Sequence, residues 1–532
     1  MSKRLLPYSE TGYFSKLICD YLSQEKELRS FYGRFPKLEN FKSQLEQKRH
    51  SFPVASRQLL VRQIMQQYGK TPISKATLGN IDLLKHENTF TVTTGHQLNL
   101  FTGPLYFLYK IISVLNLTDQ LNATYPDQHF VPIYWMATED HDFAEINYFN
   151  FKGKKIEWSH DASGAVGDLP TDGLDVVYQI LKEHFGTHRD AQTLLTFFSE
   201  AYLHHDHLAD ATRHLANTLF QSYGLVILDG NNTELKRLFA PIVEKELTEQ
   251  LGHRKITETT ARLLENGYDE QVHPREINLF YLKEGLRERL IEKEGVFYVD
   301  GTSLSFTREK LLDELHTHPE RFSPNALLRP VYQEIILPNI GYVGGGGELA
   351  YWFQLKDYFE AISVPFPILL LRNSAVLVPN KISEKLETLK VSVEDCFMSQ
   401  HELRSNFTRQ HSEIDIDFTP QRKHLRQQFA DLYGIAEQTD ASFVGAVAAQ
   451  EKKQLNGLDH LEKRLLKAQK RKLSKQLDRL GALQDALFPA QSLQERNMNF
   501  SEFYLTHGER LIPKLKEGLD PLDLRFTIIS LD

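Results

Sequence analysis

Apolar positions along this chain follow three spacings in turn, and each marks a different kind of element. Over the first eighty or so residues they recur at helical intervals among charges, as in FPKLENFKSQLEQKRHS and SRQLLVRQIMQQYGK, which predicts amphipathic helices. From Phe90 the pattern becomes short β-rich or apolar runs: FTVTT (90–94), HFVPIYWMA (129–137), GLVILD (224–229), GVFYVD (295–300) and PFPILLL (365–371). Such runs, bounded by turn residues, suit strands buried on both faces. The stretches between them, PLYFLYKIISVLNL and TELKRLFAPIVEKELTEQ, read as helices, with Pro104 suited to a first turn. Strand and helix in alternation predict an α/β fold with a largely parallel sheet and right-handed crossovers.

The last third follows a third pattern. Thr419-Pro420 and Asp440 are good helix starts, and no proline interrupts Ala441 to Leu487. Leu458, Leu461, Leu465, Leu473, Leu477, Leu480, Leu483 and Leu487 recur there by threes, fours and one eight, with charges between them. This is a coiled-coil pattern, and a continuous helix would run roughly 70 Å. It can pair with 420–436 in an antiparallel hairpin or with a second chain. Phe526 to Leu531 suits a returning edge strand. The expected organisation is a core over 1–380 with connecting insertions at about 150–220 and 240–320, a helical coiled coil over 381–490, and a segment 491–532 returning to the core.

Composition narrows the function. The 532-residue chain carries a formal charge of -8, which argues against non-specific nucleic-acid binding. It has no apolar run long enough for a bilayer and no signal-peptide pattern at its start. Its 2 cysteines, Cys19 and Cys396, offer neither a disulfide framework nor a zinc site. The expected compartment is the cytoplasm, and no tightly bound metal is expected.

Candidate chemistry gathers where runs end. Gly95-His96-Gln97, Glu139-Asp140-His141-Asp142, Asp229 and Arg372-Asn373-Ser374 each follow an apolar run, and in open α/β sheets ligands bind at that edge. His96 can donate to a phosphate oxygen, with Thr102 and Gly103 just behind it. The acidic group, extended by Glu145 and Asn147, suits an ammonium group, a general base or a hard cation. The densest stretch is SPNALLRPVYQEIILPNIGYVGGGGELAYWFQLK (323–356), with Gly344 to Gly347 in a row before Glu348. A glycine loop feeding a helix N-terminus is an anion cradle. His204, His205 and His207 read as an exposed helix face, and Lys381 to Lys385 is too short a likeness to a synthetase signature to carry weight.

Taken in order, TTGHQLNLFTGPLYFLYK, PIYWMATEDHDFAEINYF, YGLVILDGNNTELKRLFAPI, the 322–356 stretch, PFPILLLRNS and SLQERNMNF resemble the bacillithiol biosynthesis cysteine-adding enzyme family, BshC. His96 departs from the pattern, which has glutamine there in many members. The resemblance implies a Rossmann-like core akin to class I aminoacyl-tRNA synthetases, with helical insertions and a protruding coiled coil supporting a homodimer. It implies a ligase joining L-cysteine to the amine of glucosaminyl malate. ATP with Mg is the expected co-substrate, through an adenylate or an acyl phosphate. On this expectation His96, Gln97, Thr102 and Gly103 lie near phosphates or the activated carboxyl. Glu139, Asp140, His141, Asp142 and Asn147 serve the amino sugar, with catalysis expected from His96, Asp140, His141 and Asp142. Arg329, Gln333, Arg372 and Ser374 meet the malate carboxylates, and Tyr342, Gly344, Gly345, Glu348 and Trp352 wall the pocket. Gln494, Arg496 and Asn497 form a nucleotide-contacting patch. Two rival functions remain: a related nucleotidyltransferase or amide ligase acting on another amine, and a non-catalytic metabolite-binding dimer.

Overall fold

Five strands make the central sheet: β1 (Thr89–His96), β2 (His129–Met136), β3 (Val226–Asp229), β4 (Asn339–Gly344) and β5 (Ile368–Leu371). All residues of β1, β4 and β5 are buried, and β5 (ILLL) accordingly shows no polar alternation. Three of the four threonines of β1 have their hydroxyls satisfied, and only that of Thr89 lacks a partner. Thr91 and Thr93 donate to Asn339 Oδ1 at 3.2 and 2.9 Å, and Thr94 donates to the Val343 carbonyl at 2.7 Å. The strands run parallel in the order β5-β4-β1-β2-β3. That is a Rossmann order, with the winding reversing between β1 and β4, and the reversal opens a crevice at the carboxyl ends of those two strands. Helix α1 (Tyr106–Thr124) packs on β1 and β2, so Val114, Leu117 and Leu121 join Phe90, Val92 and Phe130 in the core.

The computed structural model describes residues 3–531. Two compact units divide the chain: one holds Lys3–Val376 and Gln494–Thr527, the other Leu377–Leu493 and the residues from Ile528 onward.

Two expectations about strands need correction. GVFYVD supplies Val296–Val299, but in an antiparallel sheet inserted between β3 and β4, ordered Ser305–Thr307, Val296–Val299, Leu286–Lys293, Leu279–Lys283, Phe322–Pro324. The cause is local. Gly285, Glu294 and Gly295 take positive φ of 67°, 52° and 79°, so Glu284-Gly285 and Glu294-Gly295 fold the chain back as tight hairpins. Conversely, NIGYVG, absent from the runs that suit strands, is strand β4, between β5 and β1.

Beneath the crevice, helix α2 (Arg329–Ile336) carries Glu334, which forms a buried ion pair with Lys48 at 3.3 Å. Glu334 Oε1 also accepts from Asn339 at 2.6 Å and Gln333 at 3.0 Å. Helix α3 (Gly346–Gln354) follows β4 directly.

In the smaller unit, helices α4 (Thr419–Ala436) and α5 (Ala441–Lys472) form an antiparallel hairpin. Phe429, Ala436 and Val447 make its apolar seam, and Arg422 bridges Asp459 at 2.8 Å and Glu462. Asp440 caps α5 by accepting from the Ser442 and Phe443 N–H groups at 2.8 and 3.0 Å. The rod expected over 441–487 is interrupted at Leu473, and α6 (Ser474–Leu487) continues beyond it. Helix α5 alone spans roughly 48 Å.

The Lys48–Glu334 pair generates a stability prediction. Lys48→Met leaves a buried carboxylate without its cation and costs about 3–5 kcal/mol, whereas adding Glu334→Leu recovers much of the loss. Urea unfolding followed by tryptophan fluorescence reads this unit alone, because Trp135, Trp158 and Trp352 all lie in it. Equal losses in the single and double variants would contradict the prediction.

Candidate functional site

A cavity of about 700 Å³ lies at the carboxyl ends of the parallel strands. Gly95, His96 and Gln97 reach it from β1, Thr138 to His141 follow β2, and Gly230 and Asn231 follow β3. Tyr342 and Gly345 to Gly347 come from β4 and α3, Arg372 from the end of β5, and Arg496 from the C-terminal segment. Residues as far apart as Gly95 and Arg372 thus share one crevice because parallel strands all end on the same edge.

A buried ion pair closes the inner wall. Lys110 of α1 meets Glu348 at 2.6 Å and donates to the Gly95 carbonyl at 2.7 Å. Glu348 also accepts from the Gly345 N–H at 2.8 Å and the Tyr342 hydroxyl at 2.7 Å. Burial works to raise the Glu348 pKa, but Lys110 and these donors outweigh it and hold the carboxyl below its usual range. The glycine run has two roles. A Cβ on Gly344 would stand 2.9 Å from the Tyr342 ring and 3.1 Å from Glu348 Cβ, so that position admits no side chain. Gly345, Gly346 and Gly347 line the cavity at the start of α3; the Gly345 N–H is taken by Glu348, and those of Gly346 and Gly347 at the helix start suit an anion.

His96 is buried, and burial, with Lys110 adding to it, pushes its pKa down to about 3, so the ring is neutral at pH 7. Its Nε2 has no partner. Gln97 donates to Asp140 and Glu145, both at 2.8 Å, tying the acidic loop to the end of β1. Glu139 pairs with the buried Lys236. His141 Nδ1 lies 2.5 Å from Arg287 Nη1 and accepts from it, which places the ring proton on Nε2. Burial raises the Asp229 pKa to about 6 against the opposing pull of Arg213 and Thr138.

Arg329 crosses the floor. It donates to Gln333 at 3.0 Å and to Tyr342 and Tyr351 at 3.4 Å, and it forms no ion pair with a carboxylate among the described residues. Arg372 instead pairs with buried Glu495 at 2.7 Å and donates to Ser374 at 3.1 Å, which neutralises it within the wall. Its Nε is left without a partner.

Several expected residues stand behind the cavity. Gln333 is fully buried and orients Arg329. Trp352 packs on Tyr342 with ring centres 4.7 Å apart. Thr102 and Gly103 form a left-handed turn with Phe101, at φ of 68°, 62° and 48°. Asn499 clamps that turn by donating to the Phe101 and Gly103 carbonyls at 2.8 and 2.6 Å. Asn147 binds the Trp158 carbonyl at 3.1 Å, Asp142 is exposed beside the short helix Phe143–Ile146, and Gln494 and Asn497 belong to the short helix that carries Arg496. His204, His205 and His207, expected on a helix face, occupy the turn after Tyr202, where His205 and His207 meet backbone carbonyls. Among the described residues no group of three or more acidic, histidine or cysteine side chains is arranged for a metal.

Sequence reading missed Lys110, Tyr351, Arg275, Arg287 and Arg289, all of which line the cavity. Lys110 had a signal, being the one charge in the apolar stretch PLYFLYKIISVLNL. Arg287 and Arg289 alternate on one strand, but nothing local marks which way it faces.

Fold and site together define a Rossmann-like enzyme with a cation-rich crevice at its switch point. Residues 1–373 match the family described as "Bacillithiol biosynthesis BshC, N-terminal Rossmann-like domain", and residues 375–531 its "C-terminal coiled-coil domain". A Christiangramia forsetii protein named "Putative cysteine ligase BshC" is 54% identical, covering 100% of this chain and 99% of that protein. Relatives of the same name from Flavobacterium johnsoniae and Bacillus cereus are 53% and 28% identical, covering 99% and 94% of this chain and 99% and 95% of their own. The chain belongs to the BshC family, and by that membership it is a ligase.

The buried His96 predicts a pH effect. Its pKa falls from an ordinary value near 6.5 to about 3 on folding, so its contribution is intact above pH 6.5 and declines as pH falls toward 3. Between pH 6.5 and 5 the native protein loses about 2 kcal/mol more stability than His96→Gln. Urea titrations at both pH values check this, and parallel losses would exclude it.

Proposed function

We propose that the protein joins the carboxyl of L-cysteine to the amine of glucosaminyl malate, forming bacillithiol, with ATP as co-substrate. The observation carrying this reading is the crevice itself, where a bare glycine cradle, an uncommitted arginine and an acidic loop share one cavity. Amide formation from a free carboxylate is uphill in water, and ATP, when bound, supplies the activation. The residues fit such a group: the N–H groups of Gly346 and Gly347 suit phosphate oxygens, and the orphaned Nε of Arg372 and Nε2 of His96 offer further contacts.

In this reading Arg329 holds the reacting carboxyl of cysteine at the switch point, since its guanidinium lies beside Gly95 and Tyr342. Asp140 receives the ammonium of the amino sugar and accepts its proton. His141 is engaged at Nδ1 and donates from Nε2. Lys110 and Glu348 touch neither substrate in this scheme and hold the two walls apart. The α4–α5 hairpin leaves Leu432, Ile435, Phe443 and Leu461 exposed, and through this face two chains pair as a homodimer. Sedimentation of the full chain at micromolar concentration checks the pairing, and a monomer would exclude it.

The decisive assay incubates the protein with cysteine, glucosaminyl malate and Mg-ATP and follows thiols and nucleotides by mass spectrometry. Bacillithiol with AMP indicates an adenylate route, and ADP an acyl phosphate. Arg329→Ala and Asp140→Asn each lower kcat/KM by about tenfold to a hundredfold, the worth of a charged hydrogen bond. Near-normal turnover in both would place the site elsewhere.

A further inference from the structure

Seven cationic side chains line the cavity against three acidic ones. Two of the seven are neutralised in the wall, Lys110 by Glu348 and Arg372 by Glu495. Arg329 serves the switch point. On the antiparallel insertion, Arg275, Arg287 and Arg289 form no ion pair among the described residues, and an excess of one charge in a crevice draws the opposite charge into it.

These arginines are built into place. Arg287 and Arg289 stand two apart on the strand Leu286–Lys293 and so share a face. Arg287 is 8% exposed and stacks over Phe280 at 4.0 Å, which fixes the plane of its guanidinium. Its Nε donates to Ser323 at 3.3 Å, Nη1 to His141 at 2.5 Å and Nη2 to the Pro324 carbonyl at 3.5 Å. A guanidinium has five N–H groups, so two remain for a ligand. The Arg275 loop is braced by Asn278, which accepts from the Arg275 N–H at 3.0 Å and donates to its carbonyl at 2.8 Å. Asn278 is itself held by the buried Glu246, at 3.0 Å from its N–H and 2.8 Å from its amide. Arg275 and Arg289 are exposed at the rim, and Arg287 lies at the base.

The geometry points to a carboxylate-recognition subsite on the insertion, made by Arg275, Arg287 and Arg289, that grips the acidic end of the amine substrate. Carboxylates fit better than phosphates here. Arginine forks match a carboxylate bidentately, and the bare glycine backbone on another wall already suits phosphate. Arg287 also binds His141, the neighbour of Asp140, so the anion site adjoins the ammonium site. A molecule carrying an amine and carboxylates would engage both. The ammonium role of Asp140 and the choice of glucosaminyl malate as that molecule rest on the proposed function.

Calorimetry tests the subsite without turnover. Glucosaminyl malate, methyl glucosaminide and Mg-ATP are titrated into the native protein and into Arg275→Gln/Arg289→Gln, whose exposed positions leave the fold intact by circular dichroism. The expected result is about a hundredfold weaker binding of glucosaminyl malate, with ATP and the carboxylate-free glucosaminide changed less than about twofold. Arg287→Lys, which keeps the charge and removes the fork, also weakens glucosaminyl malate alone. Unchanged glucosaminyl malate affinity, an equal loss for ATP, or no binding to the native protein would overturn the subsite. Arginine-dependent binding without bacillithiol formation would leave the subsite standing and remove the ligase reading. Native bacillithiol production by the double variant would do the reverse.

Discussion

Everything at the crevice hangs on one buried charge pair. Lys110 comes from the helix after β1, and Glu348 from the helix after β4, the two strands that flank the reversal of winding. Lys110 also takes the last free carbonyl at the end of β1, while Glu348 caps the glycine turn and accepts from Tyr342. A single contact therefore sets the spacing of both lips of the switch point. An apolar pair would fill the same volume, but it would take the partners away from the Gly95 carbonyl and the Gly345 N–H, and polar groups left unpaired are costly.

A second layer of polar contacts carries the constraint downward. Arg329 rests on Gln333, Gln333 on Glu334, and Glu334 on Lys48 and Asn339, whose amide oxygen also collects the β1 threonines. The guanidinium that faces the cavity is thus the end of a hydrogen-bonded chain reaching from an N-terminal helix through the sheet. Such networks are stiff because every member is satisfied, and half-satisfied ones are costly.

Much of this was legible along the chain, and the reasons are local. HFVPIYWMA and PFPILLL announce buried strands because burial on both faces demands unbroken runs, FTVTT does so by its β-branched residues, and the loops that follow all three share an edge. What was missed depends on partners distant in sequence. NIGYVG does not look like a strand because its glycines make room for Tyr342, Glu348 and the β5 side chains instead of contributing bulk. Arg372 looked free until Glu495 was seen beside it, more than a hundred residues later. Gln333 looked like a ligand contact but spends both ends of its amide inside the protein. The interruption at Leu473 has no proline or glycine to signal it.

The C-terminal segment gives the site a place in time. Glu495 neutralises Arg372, the Met498 carbonyl accepts from the Leu105 N–H, and Asn499 satisfies the left-handed turn at Phe101 to Gly103. All three arrive only after everything from Leu377 to Leu493 has been made. During synthesis the sheet can assemble early, yet a buried arginine and a strained turn stay uncompensated until the ribosome has nearly finished. The crevice therefore matures last, and a chain cut short before Gln494 still contains the five strands of the central sheet but lacks the groups that make its pocket habitable.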